Sequence, residues 1–211
     1  MDATALGLDS RLFLLINNGL ESPFLDPLMA VATRLGEPLF LALFLLPALW
    51  ILDRPHFRRN LLLFIAALTA AIAASETFKY LLDTPRPLKG MKALIDGGTV
   101  HVHVLFHPKY DRGFPSGHAT RIFSVAVLFL FFYKKTGWML IAIGTLTALS
   151  RIYVGAHYPS DVLGGIVIGS AIGVIVYRVY NWKSQPAPPL RASTTVQISP
   201  PPDEINDRQN Q

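Results

Sequence analysis

HATRIFSVAVLFLFFYKKTGWMLIAIGTLTALSRIYVGAHYPSDVLGGIVIGSAIGVIVYRVY, residues 118–180, decides the fold class. It holds apolar runs at 118–133, 137–153 and 160–180, each near the roughly 17–25 residues that a helix needs to cross a bilayer. Hydrocarbon offers the backbone no hydrogen-bond partners, so runs of this length read as helices. A short basic connection (134–137) follows the first run, and a tight one (156–160) follows the second. Upstream, stretches at about 37–52 and 60–80 add two more apolar runs. Residues 11–35 are mixed, because Asn17, Asn18, Glu21, Asp26 and Arg34 interrupt them. They read as one or two short amphipathic helices lying in the interface, with a sixth span as the alternative. The expected fold is all-α: a polytopic membrane helical bundle of five to six transmembrane helices with an N-terminal interfacial helix.

Composition agrees. Of 211 residues, 51% are hydrophobic and only 16% charged, against roughly 25% charged in a soluble domain. Mean hydropathy is +0.38. These values exclude a disordered chain and leave too little polar surface for a water-soluble globule. One membrane domain, residues 1–183, accounts for the length, and residues 184–211, rich in Pro, Ser and Gln, read as a disordered tail. No cleavable signal is legible at the N-terminus. With no cysteine, disulfides, thiolate metal sites and cysteine nucleophiles are excluded. The net charge of +5 reads as basic loops facing anionic lipid. No basic helix or aromatic–basic interleaving occurs, so nucleic acid is not an expected partner.

The connections set the topology. By parity, the long Pro-, Gly- and His-rich segment 83–117 and the turn at 150–160 share one face. The basic loops 53–59 and 134–137 and the tail share the other. The positive-inside rule puts those short loops in the cytoplasm and the long segment outside, although the long segment itself carries Arg86, Lys89, Lys92, Lys109 and Arg112 and so does not follow the rule cleanly. Gly165, Gly169 and Gly173, spaced by four, give the last helix a surface suited to close packing.

Three polar clusters end up on the outer face: KYLLDTPRP with Lys79 and Arg86, FPSGH with Ser116, Gly117 and His118, and SRIYVGAHYPSD with Arg151, His157 and Asp161. Ionisable groups near the membrane are expensive and mark function. Three cations converging without local carboxylates need an anion, and a phosphoryl group suits a guanidinium fork and an ammonium point charge. The blander reading of each cation alone is snorkelling to headgroups. Ser116 is a plausible N-cap, and the free N–H groups of that helix start form an anion site that Gly117 lets oxygens approach. Simple capping is the plainer alternative. Asp161 lies four residues after His157 and reaches its imidazole. It would fix one ring nitrogen and free the other as nucleophile, with His118 as general acid. Taken alone, a His and an Asp at this spacing more often make a structural hydrogen bond.

Taken together, Lys-x6-Arg-Pro, Pro-Ser-Gly-His and Ser-Arg-x5-His-x3-Asp resemble the signature of the type 2 phosphatidic acid phosphatase superfamily over about residues 60–180. That resemblance implies metal-independent hydrolysis of a phosphomonoester or diphosphate, with no cofactor, through a phosphohistidine on His157. Asp161 would orient that ring and His118 would protonate the leaving group. Lys79, Arg86, Ser116, Gly117 and Arg151 would hold the phosphoryl oxygens. The expected partners are membrane lipids and a lipid phosphate substrate. Undecaprenyl diphosphate is favoured, with phosphatidylglycerol phosphate, phosphatidic acid and lipid A phosphates as alternatives. The expected location is a bacterial inner membrane with the site on the periplasmic face. A phosphotransferase shares every motif. A transporter would need charges at mid-span, whereas here they cluster at one end, and the haloperoxidase relatives are soluble.

Three further groups stand outside these motifs. His101, His103 and His107 could ligate a metal, but no carboxylate lies nearby in sequence, so loop packing is the expected role and no metal site is assigned. Arg121, one turn after His118, could touch a second phosphate, with snorkelling or loop pairing as the plainer role. Glu76 is expected to pair with Lys79.

Overall fold

The computed structural model describes residues 6–184. The bundle is built from α1 (Leu8–Asn17), α2 (Leu25–Arg34), α3 (Pro38–Leu52), α4 (Phe57–Leu82), α7 (Gly117–Phe132), α8 (Lys134–Tyr153) and α9 (Pro159–Ser184). Between α4 and α7 the chain makes two one-turn helices, α5 (Pro87–Gly90) and α6 (Lys92–Asp96). There is no strand among the described residues. The all-helical bundle agrees with the sequence reading, and the mixed N-terminal segment forms the two short helices α1 and α2. The tail expected from 184 onward lies, after Ser184, outside the described residues.

All five apolar runs form helices. By length and composition alone, two segments qualify as spans, Arg54–Asp96 and Pro159–Trp182, or three with the α2–α3 pair, which bends by 76°. The reason is visible in α7. It is apolar but only 16 residues long, and it is the central helix, packed by α4, α8 and α9. Ala119, Val125, Ala126, Leu128 and Phe129 on α7 are fully buried. A helix sheathed in protein needs less lipid-facing length than a peripheral one.

Apolar side chains cover the outside of the bundle as well as filling its core, and small polar groups lie between the helices. Leu39, Phe44, Ile51, Leu62, Trp138, Leu163, Val167 and Trp182 are exposed, whereas Asn60, Ser75, Thr120, Ser124, Thr147 and Ser150 are buried. An apolar exterior of this extent suits lipid, and the buried hydroxyls and amide suit helix–helix contacts. The glycines of α9 allow its backbone onto α7. A Cβ at Gly165 would stand 2.6 Å from the Ser116 carbonyl oxygen, and one at Gly173 would stand 2.6 Å from that of Ser124.

The ends of the helices explain where the chain turns. Pro159 opens α9 at a position where its missing N–H costs nothing. Asp83 ends α4 in the left-handed region (φ 38°). At the end away from the motifs, Arg59 and Asn60 donate to Asp53, Tyr133 hydrogen-bonds the same carboxylate, and Asn60 also donates to Tyr133 at 2.7 Å. That network ties the α3–α4 connection to the α7–α8 connection.

Candidate active site

The end of α4, the start of α7, the end of α8 and the start of α9 meet at one end of the bundle, as parity requires. Lys79 lies in the last turn of α4 and is held by Glu76 at 2.7 Å. Its Nζ and the Arg121 guanidinium flank Gly117, each 3.2 Å from where a Cβ would be. A side chain there would occupy the space between two cations, so glycine keeps the start of α7 open.

Arg86 is buried and almost fully committed. Its guanidinium donates to the carbonyls of Asp111 (2.8 Å), Ala156 (2.8 Å) and Arg112 (3.2 Å). The remaining contact is 3.2 Å from Nη1 to Nε2 of His157. On the other side of that ring, Nδ1 faces Asp161 Oδ2 at 3.3 Å. The guanidinium can only donate, so Nε2 is an acceptor and Nδ1 carries the proton. The ring is therefore in the tautomer with a bare Nε2. Asp161 is fixed in turn, because Oδ2 accepts the Tyr158 N–H at 3.0 Å and its carbonyl accepts the Ser116 N–H at 2.9 Å. His157 is 2% exposed. Burial, followed by the charges of Arg86 and Arg151, holds its pKa well below the ordinary histidine value.

His118 is wired the opposite way. Arg121 approaches its Nδ1 at 3.3 Å with Nη2 while donating from Nε to the Gly36 carbonyl at 3.1 Å. Nδ1 is thus the acceptor and Nε2 bears the hydrogen. Gly36, at the bend between α2 and α3, packs so tightly on His118 that a Cβ there would meet the histidine Cβ at 2.9 Å.

Two buried donors lack a protein partner among the described residues: Ser116 Oγ and Arg151 Nε. Ser116 occupies the N-cap position of α7, but its side chain makes no cap hydrogen bond. The capping reading is corrected on that point. Arg151 spends one amino group on Thr33 of α2. Leaving a buried donor unsatisfied costs about 1–3 kcal/mol, so the pair marks a place built for an acceptor that comes from outside.

Beside these groups is a cavity of about 230 Å³, lined by Thr33, Glu37, His107, Lys109, His118 and Arg151 among others. Lys109 was only a loop charge in the sequence. In the fold its pKa is lowered, first by burial and then by Arg86, Arg151, Lys79 and Arg121. Thr33, Gly36 and Glu37 had no sequence signal, because they reach the site through the bend in the N-terminal helices. Of the three loop histidines, His107 lines the cavity, whereas His103 lies elsewhere, against Asp26 (2.9 Å) and Glu21 (3.1 Å). The carboxylates missing from the local sequence are thus supplied by α2 and the α1–α2 turn. Arg121 does contact a loop, at Gly36, and also His118.

Comparison with known proteins gives concordant results. The PAP2 superfamily profile matches residues 60–185. Undecaprenyl-diphosphatase BcrC of Bacillus subtilis is 32% identical over 154 residues, covering 73% of this chain and 74% of the relative. A lipid A 4'-phosphatase of Bacteroides thetaiotaomicron is 29% identical over 180 residues, covering 82% and 76%. The crystal structure of Aquifex aeolicus LpxE matches with a TM-score of 0.66 and 28% identity, covering 84% of this chain and 99% of that one.

Proposed function

The chain belongs to the PAP2 superfamily, and we propose that it hydrolyses a lipid diphosphate, undecaprenyl diphosphate foremost, through a phosphohistidine on His157. The observation that carries the reading is the pair of buried, unpartnered donors, Ser116 Oγ and Arg151 Nε, set among cations. Phosphoryl oxygens are the acceptors that such donors suit.

In this reading Nε2 of His157 attacks phosphorus in line. The P–N bond forms as the bond to the leaving oxygen breaks, and that oxygen keeps the electron pair. With the anionic substrate bound, Arg121 turns from Nδ1 of His118 to a phosphate oxygen, that nitrogen binds a proton, and the resulting imidazolium gives its Nε2 proton to the leaving oxygen and is left neutral. Water then attacks phosphorus, the P–N bond breaks, and His118 takes the proton back from the water. Lys79, Arg86, Ser116, the Gly117 N–H and Arg151 stabilise the charge that spreads over the equatorial oxygens. Arg86 begins on the attacking nitrogen itself and transfers to a substrate oxygen as phosphorus approaches.

Diphosphate is favoured over a monoester by Arg121 and Lys109. Arg121 contacts His118 and Lys109 lines the cavity with His118 and Arg151, so both can reach the oxygens of a second phosphoryl group. The relatives act on both classes by name, an undecaprenyl diphosphatase and a lipid A phosphatase. The location we propose is a bacterial inner membrane with the site on the periplasmic face. The basic loops at the opposite end, with Arg54, Arg58, Lys134 and Lys135, support that orientation.

The test is phosphate release by purified protein from undecaprenyl diphosphate, undecaprenyl phosphate, phosphatidylglycerol phosphate and lipid A. The expected result is the highest kcat/KM on the diphosphate, with Lys109→Ala eroding that preference. Equal or better turnover of a monoester would overturn the substrate assignment and leave the phosphatase intact.

A further inference from the structure

A second constellation lies away from the reacting groups, where segment 99–107 crosses the N-terminal helices. Asn17 clamps the segment backbone. Its amide donates to the His103 carbonyl (2.9 Å) and the Tyr153 carbonyl (2.7 Å), and its oxygen accepts the His103 N–H (2.8 Å). Asn18 donates to the His101 carbonyl at 2.9 Å. Val102 between them is buried, so His101 and His103 are held on either side of an anchored residue. Both rings turn to Glu21, His103 Nδ1 at 3.1 Å and His101 Nε2 at 3.7 Å from its carboxylate oxygens. One ligand atom from each of the three residues lies within 4.8 Å of the others.

The wiring of His103 is specific. Asp26 Oδ1 faces its Nε2 at 2.9 Å and is itself held by the Tyr153 hydroxyl at 2.6 Å. Asp26 takes one ring nitrogen, and the other, Nδ1, faces a second carboxylate, that of Glu21. At 3.1 Å that nitrogen and the carboxylate oxygen need either a proton or a metal cation between them. A carboxylate behind a histidine that offers its other nitrogen is the usual support of a metal-bound imidazole.

We propose that Glu21, His101 and His103 form a divalent-cation site of the zinc type, with Asp26 orienting His103 and water completing the shell. Two imidazoles and one carboxylate suit zinc in tetrahedral geometry. Bond lengths of about 2.0–2.2 Å would bring the three ligand atoms to about 3.3 Å from one another, which needs only small rotations of the exposed His101 and Glu21 side chains. The ion does not take part in the hydrolysis. It fastens segment 99–107, which continues into the cavity-lining His107 and Lys109, onto α1 and α2.

The test uses the untagged full-length chain in detergent micelles, stripped of metal and titrated with Co²⁺. One equivalent is expected to give the intense visible absorption of tetrahedral cobalt, and Zn²⁺ should displace it stoichiometrically. His101→Ala removes an exposed ligand that packs no core and should weaken binding at least about 10-fold. Asp26→Asn keeps every ligand and should weaken it about 10- to 100-fold. Hydrogen exchange at residues 99–109 should slow with Zn²⁺ in the parent chain and not in His101→Ala. Absence of a tetrahedral spectrum at one equivalent, or unchanged affinity in His101→Ala, would overturn the proposal. Finding both ring nitrogens of His103 protonated in the presence of one equivalent of Zn²⁺ would do the same, because a proton would then occupy the metal's place.

Discussion

The two active-site histidines differ in which ring nitrogen bears the proton, and the difference comes from their arginines. Arg86 covers Nε2 of His157, whereas Arg121 covers Nδ1 of His118. One ring therefore presents a lone pair and the other an N–H. His157→Ala should abolish turnover and trapping of a phosphoenzyme by acid quench. His118→Ala should slow hydrolysis of a lipid ester but act far less on a nitrophenyl phosphate, whose leaving group needs little protonation. Retained turnover in His157→Ala would show that the roles are misassigned. Asp161→Asn should cost on the order of 10⁴-fold in kcat, as in other histidine–carboxylate pairs. Ser116→Ala makes a sharper prediction. It removes a buried unsatisfied hydroxyl, so the melting temperature should hold or rise while kcat/KM falls, an outcome a capping role would reverse. The pH behaviour follows from His157. Its native pKa is depressed, while the unfolded chain takes up that proton near the free value of about 6.5. The unfolded state thus binds more protons below that pH, and stability should fall as pH drops through it. ¹⁵N spectra should show the His157 ring still neutral at pH 6.

At the scale of elements, the contact of α7 with α9 aligns the site. The Ser116 N–H donates to the Asp161 carbonyl at 2.9 Å, so the anion-binding helix start and the carboxylate behind the nucleophile are linked directly. Gly165 sits at that contact, and Gly173 repeats the same close approach two turns further away. Overpacking a helix contact costs about 1–3 kcal/mol. Gly165→Ala and Gly173→Ala should therefore lower the melting temperature by similar amounts, but only Gly165→Ala should also depress kcat. Equal loss of kcat in both would mean that the helix pair acts as a rigid unit and does not align the site locally. The bend between α2 and α3 has a comparable role, since it brings Thr33 to Arg151 and Gly36 to His118.

At the scale of the whole molecule, the site is at one end and the Asp53–Arg59–Tyr133 network at the other. Accessibility tags at Gly98 and at Lys134–Lys135 should report opposite sides of the membrane, with Gly98 outside. Both tags on one side would remove the basis for the proposed orientation. Charge neutralisation by side chains predicts that chelator leaves lipid phosphate hydrolysis largely intact even where it loosens segment 99–107. Vanadate should inhibit, because its trigonal-bipyramidal form resembles the five-coordinate transition state. Activity lost in chelator and restored by one divalent ion would contradict a hydrolysis carried by side chains.

Much of this was legible along the chain. The apolar runs specified helices because hydrocarbon leaves the backbone no other way to satisfy its polar groups. Parity then carried Lys79, Arg86, Ser116, His118, Arg151, His157 and Asp161 to one face. His157 and Asp161 were readable as a pair because four residues is one helical turn. What the tertiary structure alone decided was everything that depends on contacts far apart in sequence. Ser116 could be read as a cap, but only packing shows its hydroxyl buried without a partner. The HVHVLFH segment carried no local carboxylate, and the Glu21 and Asp26 that meet its histidines stand about 80 residues earlier, at separations such as 77 for His103 and Asp26. Ring tautomers, too, depend on which donor arrives from another element: Arg86 reaches across 71 residues to set the nucleophile's bare nitrogen. Helical periodicity governs neighbours one turn apart, while the side chains that choose between a cap and a ligand, or between one ring nitrogen and the other, are brought in by the packing of distant helices.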